Sequence, residues 1–228
     1  MTPSGGDDRS RWRRRVDVLA AAHARGALDD DGWFREMASV FEQAYLAGDN
    51  PRAQSGFGGD AARWEAGRRP IVRAIDREGT FLDVGCANGH LLESLVEWSP
   101  HRLEPYGLEL APRVAELARA RLPQWAERIF VGNALTWEPP RRFDFVRTEL
   151  VYVPDRLRGA LVRRLLEHVV VPGGRLILCG YGSPRSGLTA DPVGATAREL
   201  GFEPELELAA PAPEGGGAIV EVAALRAH

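Results

Sequence analysis

The chain has 228 residues, 44% hydrophobic and 27% charged, with a formal net charge of −3. That length suits one domain with an appendage, and that apolar content excludes a chain that is disordered throughout. No run approaches the roughly 18 apolar residues of a membrane span. The arginine-rich start, followed only by the short, alanine-rich Val16–Ala22 stretch, argues against a secretory signal.

The elements read in order. Residues 1–10 are polar and expected to fray. Trp12, Val16, Leu19, Ala20 and His23 recur at helical spacing. A second helix starts at N-cap candidates Asp29–Asp31, carries the stripe Phe34, Met37, Ala38, Phe41 and Tyr45, and stops at Gly48–Pro51. A glycine-rich segment, 55–59, precedes a third helix expected over Ala61–Arg77. From Phe81 the texture changes to short apolar strands alternating with amphipathic helices. Strands are expected at 81–84, 106–110, 128–131, 143–146 and 175–181, the last after a ProGlyGly turn at 172–174. Helices are expected around Leu91–Val96, Val114–Ala118, Leu157–Val169 and 191–200. Strands at 206–208 and 218–222 close the chain with no helix between them.

This alternation predicts an α/β fold: a Rossmann-like, doubly wound seven-stranded sheet ending in a C-terminal antiparallel hairpin. Residues 1–69 are expected to form an N-terminal helical cap or lid, and 70–228 the α/β domain. Cys86 and Cys179 are read as free thiols, which suits a cytoplasmic protein. No cysteine or histidine pair has zinc-ligand spacing, so no metal is expected. All 29 basic residues are arginine. Five of them, at 9, 11, 13, 14 and 15, form the one basic cluster in an acidic chain.

The strongest motif is AspValGlyCysAlaAsnGly at 83–89, between a strand and a helix. Glycine there lets backbone approach a ligand, and the helix start offers free N–H groups. Glu109 closes the next strand, where an acid can accept from ribose hydroxyls. A dinucleotide loop needs Gly-x-Gly-x-x-Gly, and His90 at the last position breaks that pattern.

This loop resembles motif I of the class I S-adenosylmethionine-dependent methyltransferases. The resemblance continues through TyrGlyLeuGluLeu at 106–110, GlyAsnAla at 132–134, PheAspPheVal at 143–146 and ProGlyGlyArgLeuIle at 172–177, and covers about residues 80–182. It implies S-adenosylmethionine as cofactor and roles position by position. Asp83 would contact the methionine amino group. Gly85, Ala87 and Gly89 would let backbone lie along the cofactor. Glu109 would hold the ribose, Leu110 would pack on adenine, and Asn133 with Ala134 would meet the adenine amine. The backbone at Arg147 and Thr148 would face the methionine end. Two departures stand out: Ala87 replaces the usual middle glycine, and Asn133 an aspartate.

Past the fourth strand runs ThrGluLeuValTyrValPro, 148–154. Glu149 is the candidate acid/base or substrate-cation anchor, with an ion pair to Arg147 as the competing reading. Gln54, Phe57, Tyr152 and Tyr181 are the candidate substrate-binding residues, and Phe34, Phe41 and Tyr45 are set to line the acceptor pocket. Trp64 and Arg68, a turn apart, are expected to pack the cap onto the sheet, and His90 to be solvated. The expected activity is methyl transfer to a small-molecule acceptor, with no membrane partner. RNA methylation, suggested by the arginine cluster, and cofactor binding without turnover are the alternatives. The sequence carries no signal of oligomeric state.

Overall fold

The computed structural model describes residues 5–228, and side chains from Arg14 onward. The expected fray at Met1–Ser4, and the side chains of Arg9, Arg11, Trp12 and Arg13, lie outside the described residues. In chain order the elements are helices α1 (Gly5–Ala24), α2 (Asp30–Leu46) and α3 (Ala61–Arg68), then β1 (Gly79–Val84), α4 (His90–Trp98), β2 (Leu103–Glu109), α5 (Pro112–Arg121), β3 (Ile129–Val131), β4 (Phe143–Thr148), α6 (Arg158–Arg164), β5 (Val170–Tyr181), α7 (Val193–Glu199), β6 (Leu206–Pro211) and β7 (Ala218–Arg226).

The sheet order is β3-β2-β1-β4-β5-β7-β6. The first five strands pair in parallel, and β7 runs antiparallel between β5 and β6. The expected terminal hairpin is therefore present, with its second strand placed inward. β7 is the better suited to that place: Ile219, Val220, Val222, Ala223 and Ala224 are all buried, whereas β6 alternates half-buried and exposed residues.

Helix starts follow the capping residues. Asp29 accepts the Gly32 N–H at 2.8 Å, and Asp60 the Arg63 N–H at 2.8 Å. Three expectations are corrected. Gly5–Ser10 are helical rather than frayed. The third helix stops at Arg68 because Pro70 lacks the N–H a continuing helix needs, and 69–74 tighten into a 3₁₀ turn. The ProGlyGly at 172–174 does not precede β5 but interrupts it: Phe143 pairs with Val170, the register shifts, and pairing resumes at Arg175.

Two apolar layers flank the sheet. On one face α2 contributes Trp33, Phe34 and Met37, packed with Leu161, Leu165 and Leu178. On the other, Trp64 and Ile71 join Leu92, Leu95, Phe81 and Phe145. The N-terminal helices thus meet opposite faces of the sheet, bracketing the carboxyl ends of the strands.

Candidate functional site

The strand order reverses direction between β1 and β4, and a crevice opens outside their carboxyl ends. Ligands of open α/β sheets bind at such a point. Glycine-loop, acid and polar segments converge there because each is the residue run leaving a neighbouring strand: 85–89 after β1, 110–111 after β2, 132–134 after β3, 149–152 after β4.

The loop geometry is specific. Gly85 and Gly89 have φ of +80° and +75°, and Ala87, at +48°, is the one non-glycine with positive φ among the described residues. Ala87 therefore bears strain that the middle glycine of the motif would relieve. Its N–H donates to Glu109 Oε2 at 2.8 Å, while the Ala111 N–H donates to Oε1 at 3.0 Å. Glu109 is buried, and burial pushes its carboxyl upward against these backbone donors. Each oxygen keeps lone-pair capacity for a further donor. Asn88, fully buried, ties the loop to the N-terminal region: its amide donates to the Pro51 carbonyl at 2.9 Å, and its oxygen accepts the His90 N–H at 3.1 Å.

The parallel register sets Asp83 on β1 beside Arg147 on β4. Both side chains are buried, at 1% and 2% exposure. Arg147 is a hub. Nη1 donates to Asp83 Oδ1 at 3.1 Å and to Tyr152 Oη at 3.4 Å; Nη2 donates to Glu149 Oε1 at 2.5 Å and to Tyr181 Oη at 2.9 Å. Tyr152 donates its hydroxyl to the same Glu149 oxygen at 2.6 Å. Burial pushes the Asp83 carboxyl up to about 6, with Arg147 opposing the shift. Burial also drives the Tyr152 and Tyr181 hydroxyls well upward, so both are neutral donors. Asp83 Oδ2 and Thr148 Oγ1 are buried without any hydrogen-bond partner. Such orphaned atoms in a cleft call for a ligand donor or acceptor.

Beside them lies a partly open pocket of about 580 Å³ including its open mouth. Gly85, Glu109, Leu110, Asn133, Ala134, Thr148 and Tyr152 line it, and Phe34, Phe41 and Tyr45 of α2 cover it. These aromatics stand by Glu109 and Asn133, the end read above as the cofactor's, rather than beside Tyr181. Asn133 Oδ1 accepts the Leu135 N–H at 3.0 Å, which fixes its amide in a turn. The Tyr152 ring lies over Gly85, where an added Cβ would meet Cε2 at 2.3 Å.

Gln54 and Phe57 sit elsewhere. Gln54 donates to the Gly48 carbonyl at 3.1 Å. Phe57 packs edge-on to Trp64. Trp64 is buried as expected, donates Nε1–H to Ser94 Oγ at 3.0 Å, and stacks on His90 with ring centroids 4.7 Å apart. His90 is accordingly half-buried rather than solvated, and desolvation lowers its basicity. Glu149 does pair with Arg147, and its side chain is still 19% exposed. The Arg147 side chain is what sequence reasoning missed. The available signal was a charged residue inside the apolar run PheAspPheValArgThr, since a buried arginine must be paired. Among the described residues, no group of three or more His, Cys, Asp or Glu is arranged to hold a metal ion, and no helix is long and apolar enough to cross a membrane.

Residues 81–174 match the model of a family described as a methyltransferase domain. The chain is 34% identical over 97 residues to trans-aconitate 2-methyltransferase of Methylobacterium radiotolerans, which covers 42% of this chain and 35% of that enzyme. Among solved structures, it is similar to the N-methyltransferase NodS from Bradyrhizobium japonicum in complex with S-adenosyl-L-homocysteine (TM-score 0.60, 18% identity, 83% of this chain and 97% of that one). It is also similar to 1,6-didemethyltoxoflavin-N1-methyltransferase of Burkholderia thailandensis (TM-score 0.62, 18% identity, 87% and 90%).

Proposed function

We propose that this chain is a class I S-adenosylmethionine-dependent methyltransferase, a reading supported by the match of residues 81–174 to a methyltransferase-domain model, and that it transfers a methyl group from S-adenosylmethionine to a small-molecule acceptor. The observation that carries the reading is the pair of buried, partnerless acceptor atoms, Asp83 Oδ2 and Thr148 Oγ1, beside the glycine loop at the switch point. The residues present fit the cofactor. Asp83 Oδ2 is free to accept from its amino group, and Glu109 has lone pairs left for two ribose hydroxyls. Leu110 and Ala134 offer apolar contact to adenine, and Asn133 Oδ1 retains one lone pair for the adenine amine. Gly85, Ala87 and Gly89 keep the loop backbone close, and Arg147 and Thr148 border the methionine end. When bound, the cofactor supplies a methyl carbon on a sulfonium, which departs as a neutral thioether.

The chain's own contribution is to position. In-line displacement gains most from holding the acceptor at near-attack distance in a site closed to water. Glu149 is the nearest carboxylate with exposed surface. Its second oxygen is available to take an acceptor proton or to hold an acceptor cation, while Oε1 is committed to Arg147 and Tyr152. Tyr152 and Tyr181 frame that position, and Gln54 and Phe57 shape the cap behind it. The two free, buried thiols Cys86 and Cys179 favour the cytoplasm as its place of work.

Label transfer tests the proposal. Purified protein, methyl-labelled S-adenosylmethionine and a cell extract are combined, and small molecules, RNA and protein are then separated. Label is expected in the small-molecule fraction. Label in RNA instead would replace the acceptor class. Calorimetric binding of S-adenosylhomocysteine with no label in any fraction would point to a binding protein, and no binding at all would end the assignment.

A further inference from the structure

Tyr152 stands on the run that leaves β4, in the short 3₁₀ turn Leu150–Tyr152. Leu150 and Val153 are buried on either side of it, whereas Val151 is exposed. The turn's backbone bond runs from the Tyr152 N–H to the Glu149 carbonyl at 3.4 Å, long for an N–H donor. The half-buried ring belongs to none of the apolar clusters. It is packed on the cleft side of Gly85: a Cβ added there would meet Cε2 at 2.3 Å, Cζ at 2.7 Å and Cδ2 at 3.0 Å. Its hydroxyl holds it there, donating to Glu149 Oε1 at 2.6 Å and accepting from Arg147 Nη1 at 3.4 Å.

Gly85, with φ of +80°, presents bare backbone to the cleft. The fit described above lays the cofactor along that backbone, and the Tyr152 ring lies on the same ground. Two occupants of one face exclude each other. We propose that Tyr152 is a gate on the cofactor groove: its ring leaves Gly85 as S-adenosylmethionine enters, and its hydroxyl thereby releases Glu149 Oε1 to the acceptor. The move breaks two hydroxyl contacts and one long turn bond, and leaves the packed layers intact. Entry of a sulfonium compensates Glu149 for the lost donor, because a positive charge is strongly attracted to a carboxylate in a partly desolvated cleft. Cofactor binding therefore precedes acceptor binding. The inference rests on the methyltransferase reading above and gives that site a control over the order of events.

Stopped-flow mixing with S-adenosylmethionine alone, read by tryptophan fluorescence, tests the gate. Trp137 reports from the turn that carries Asn133, its N–H donating to the Asn133 carbonyl at 2.7 Å. In the wild type the observed rate should level off with concentration, at the rate of gate opening. Tyr152→Phe keeps the ring and deletes the donor, so its plateau should stand about tenfold higher, the low end for a hydrogen bond to a charged group. Its calorimetric affinity should tighten, by up to the same factor, because a larger fraction of molecules is open. Tyr152→Ala removes the ring, and its rate should rise linearly throughout. Two results overturn the proposal with binding intact: the same rates and affinity in wild type and Tyr152→Phe, or weaker binding by Tyr152→Ala, which would make the ring a wall against which the cofactor packs. Absence of binding in the wild type would instead remove the methyltransferase reading, and the gate with it. Tyr152→Phe, which differs by one oxygen, decides the matter alone should Tyr152→Ala not fold.

Discussion

Arg147→Met should destabilise the fold strongly, and more so at higher pH. The side chain is 2% exposed and donates to four oxygens, of Asp83, Glu149, Tyr152 and Tyr181. Methionine fills much of the volume but leaves Asp83, 1% exposed, without its counter-charge. Removing one partner of a buried pair costs about 3–5 kcal/mol. The buried carboxyl escapes by taking a proton. Holding it protonated costs about 1.4 kcal/mol for each pH unit above its unfolded value of 3.8. Wild-type Asp83 carries the same cost up to its own value of about 6, so the loss relative to wild type should be smallest at pH 5 and larger by about 2 kcal/mol near pH 7.5. Urea unfolding at both pH values measures it, and a thermal melt at neutral pH should fall by roughly 6–20 °C. The double variant Asp83→Asn/Arg147→Met removes both charges and should recover at least about half of the neutral-pH loss. A single-variant loss below about 1 kcal/mol at pH 7.5, or one that does not grow with pH, would refute the claim that this ion pair is buried and coupled.

The remaining predictions are smaller. In the wild type, the Asp83 carboxyl is raised to about 6, so the folded state binds more protons than the unfolded one between pH 4 and 6; the stabilisation this group gives at low pH is lost as pH rises through 6. Asp83→Asn removes that dependence, so its stability relative to wild type should rise over this window in parallel urea melts; a flat difference would count against the shift. Ala87→Gly should raise stability by up to about 1 kcal/mol, because φ of +48° is costly only with a Cβ; a loss of similar size would show that the Ala87 methyl matters more than the strain. Glu109→Ala should weaken S-adenosylhomocysteine binding by about 1.5–3 kcal/mol in calorimetry, and lower stability too by orphaning the Ala87 and Ala111 N–H groups; unchanged affinity would remove Glu109 from the cofactor site.

Much of the local architecture was legible without coordinates. Alternating apolar runs and helical stripes fixed the strand count and the α/β class, because backbone hydrogen bonding and one-sided burial follow from periods of 2 and 3.6 residues. The loop 83–89 and Glu109 could be placed together because strand ends in such a sheet converge at one edge. Asp29 and Asp60 marked helix starts through chemistry that needs only near neighbours. Boundaries depended on less local causes: Pro70 ended α3 early, and the ProGlyGly of 172–174 fell inside β5 because Val170 pairs with Phe143 ahead of it.

What the tertiary structure decided is who meets whom. Arg147 and Asp83 are 64 positions apart, and Arg68 and Tyr181 are 113 apart; only the strand order and register bring each pair together. A linear reading sees that Glu149 follows Arg147, but not that one arginine also holds Asp83, Tyr152 and Tyr181. Nor does it show that α2 and α3 settle on opposite faces, sending Phe34 and Tyr45 toward Glu109 and Arg68 toward Tyr181. Local propensity is set by neighbours within a turn or two and is written along the chain. Pairing across strands depends on the whole sheet assembling, and the charge balance of the site exists only once it has.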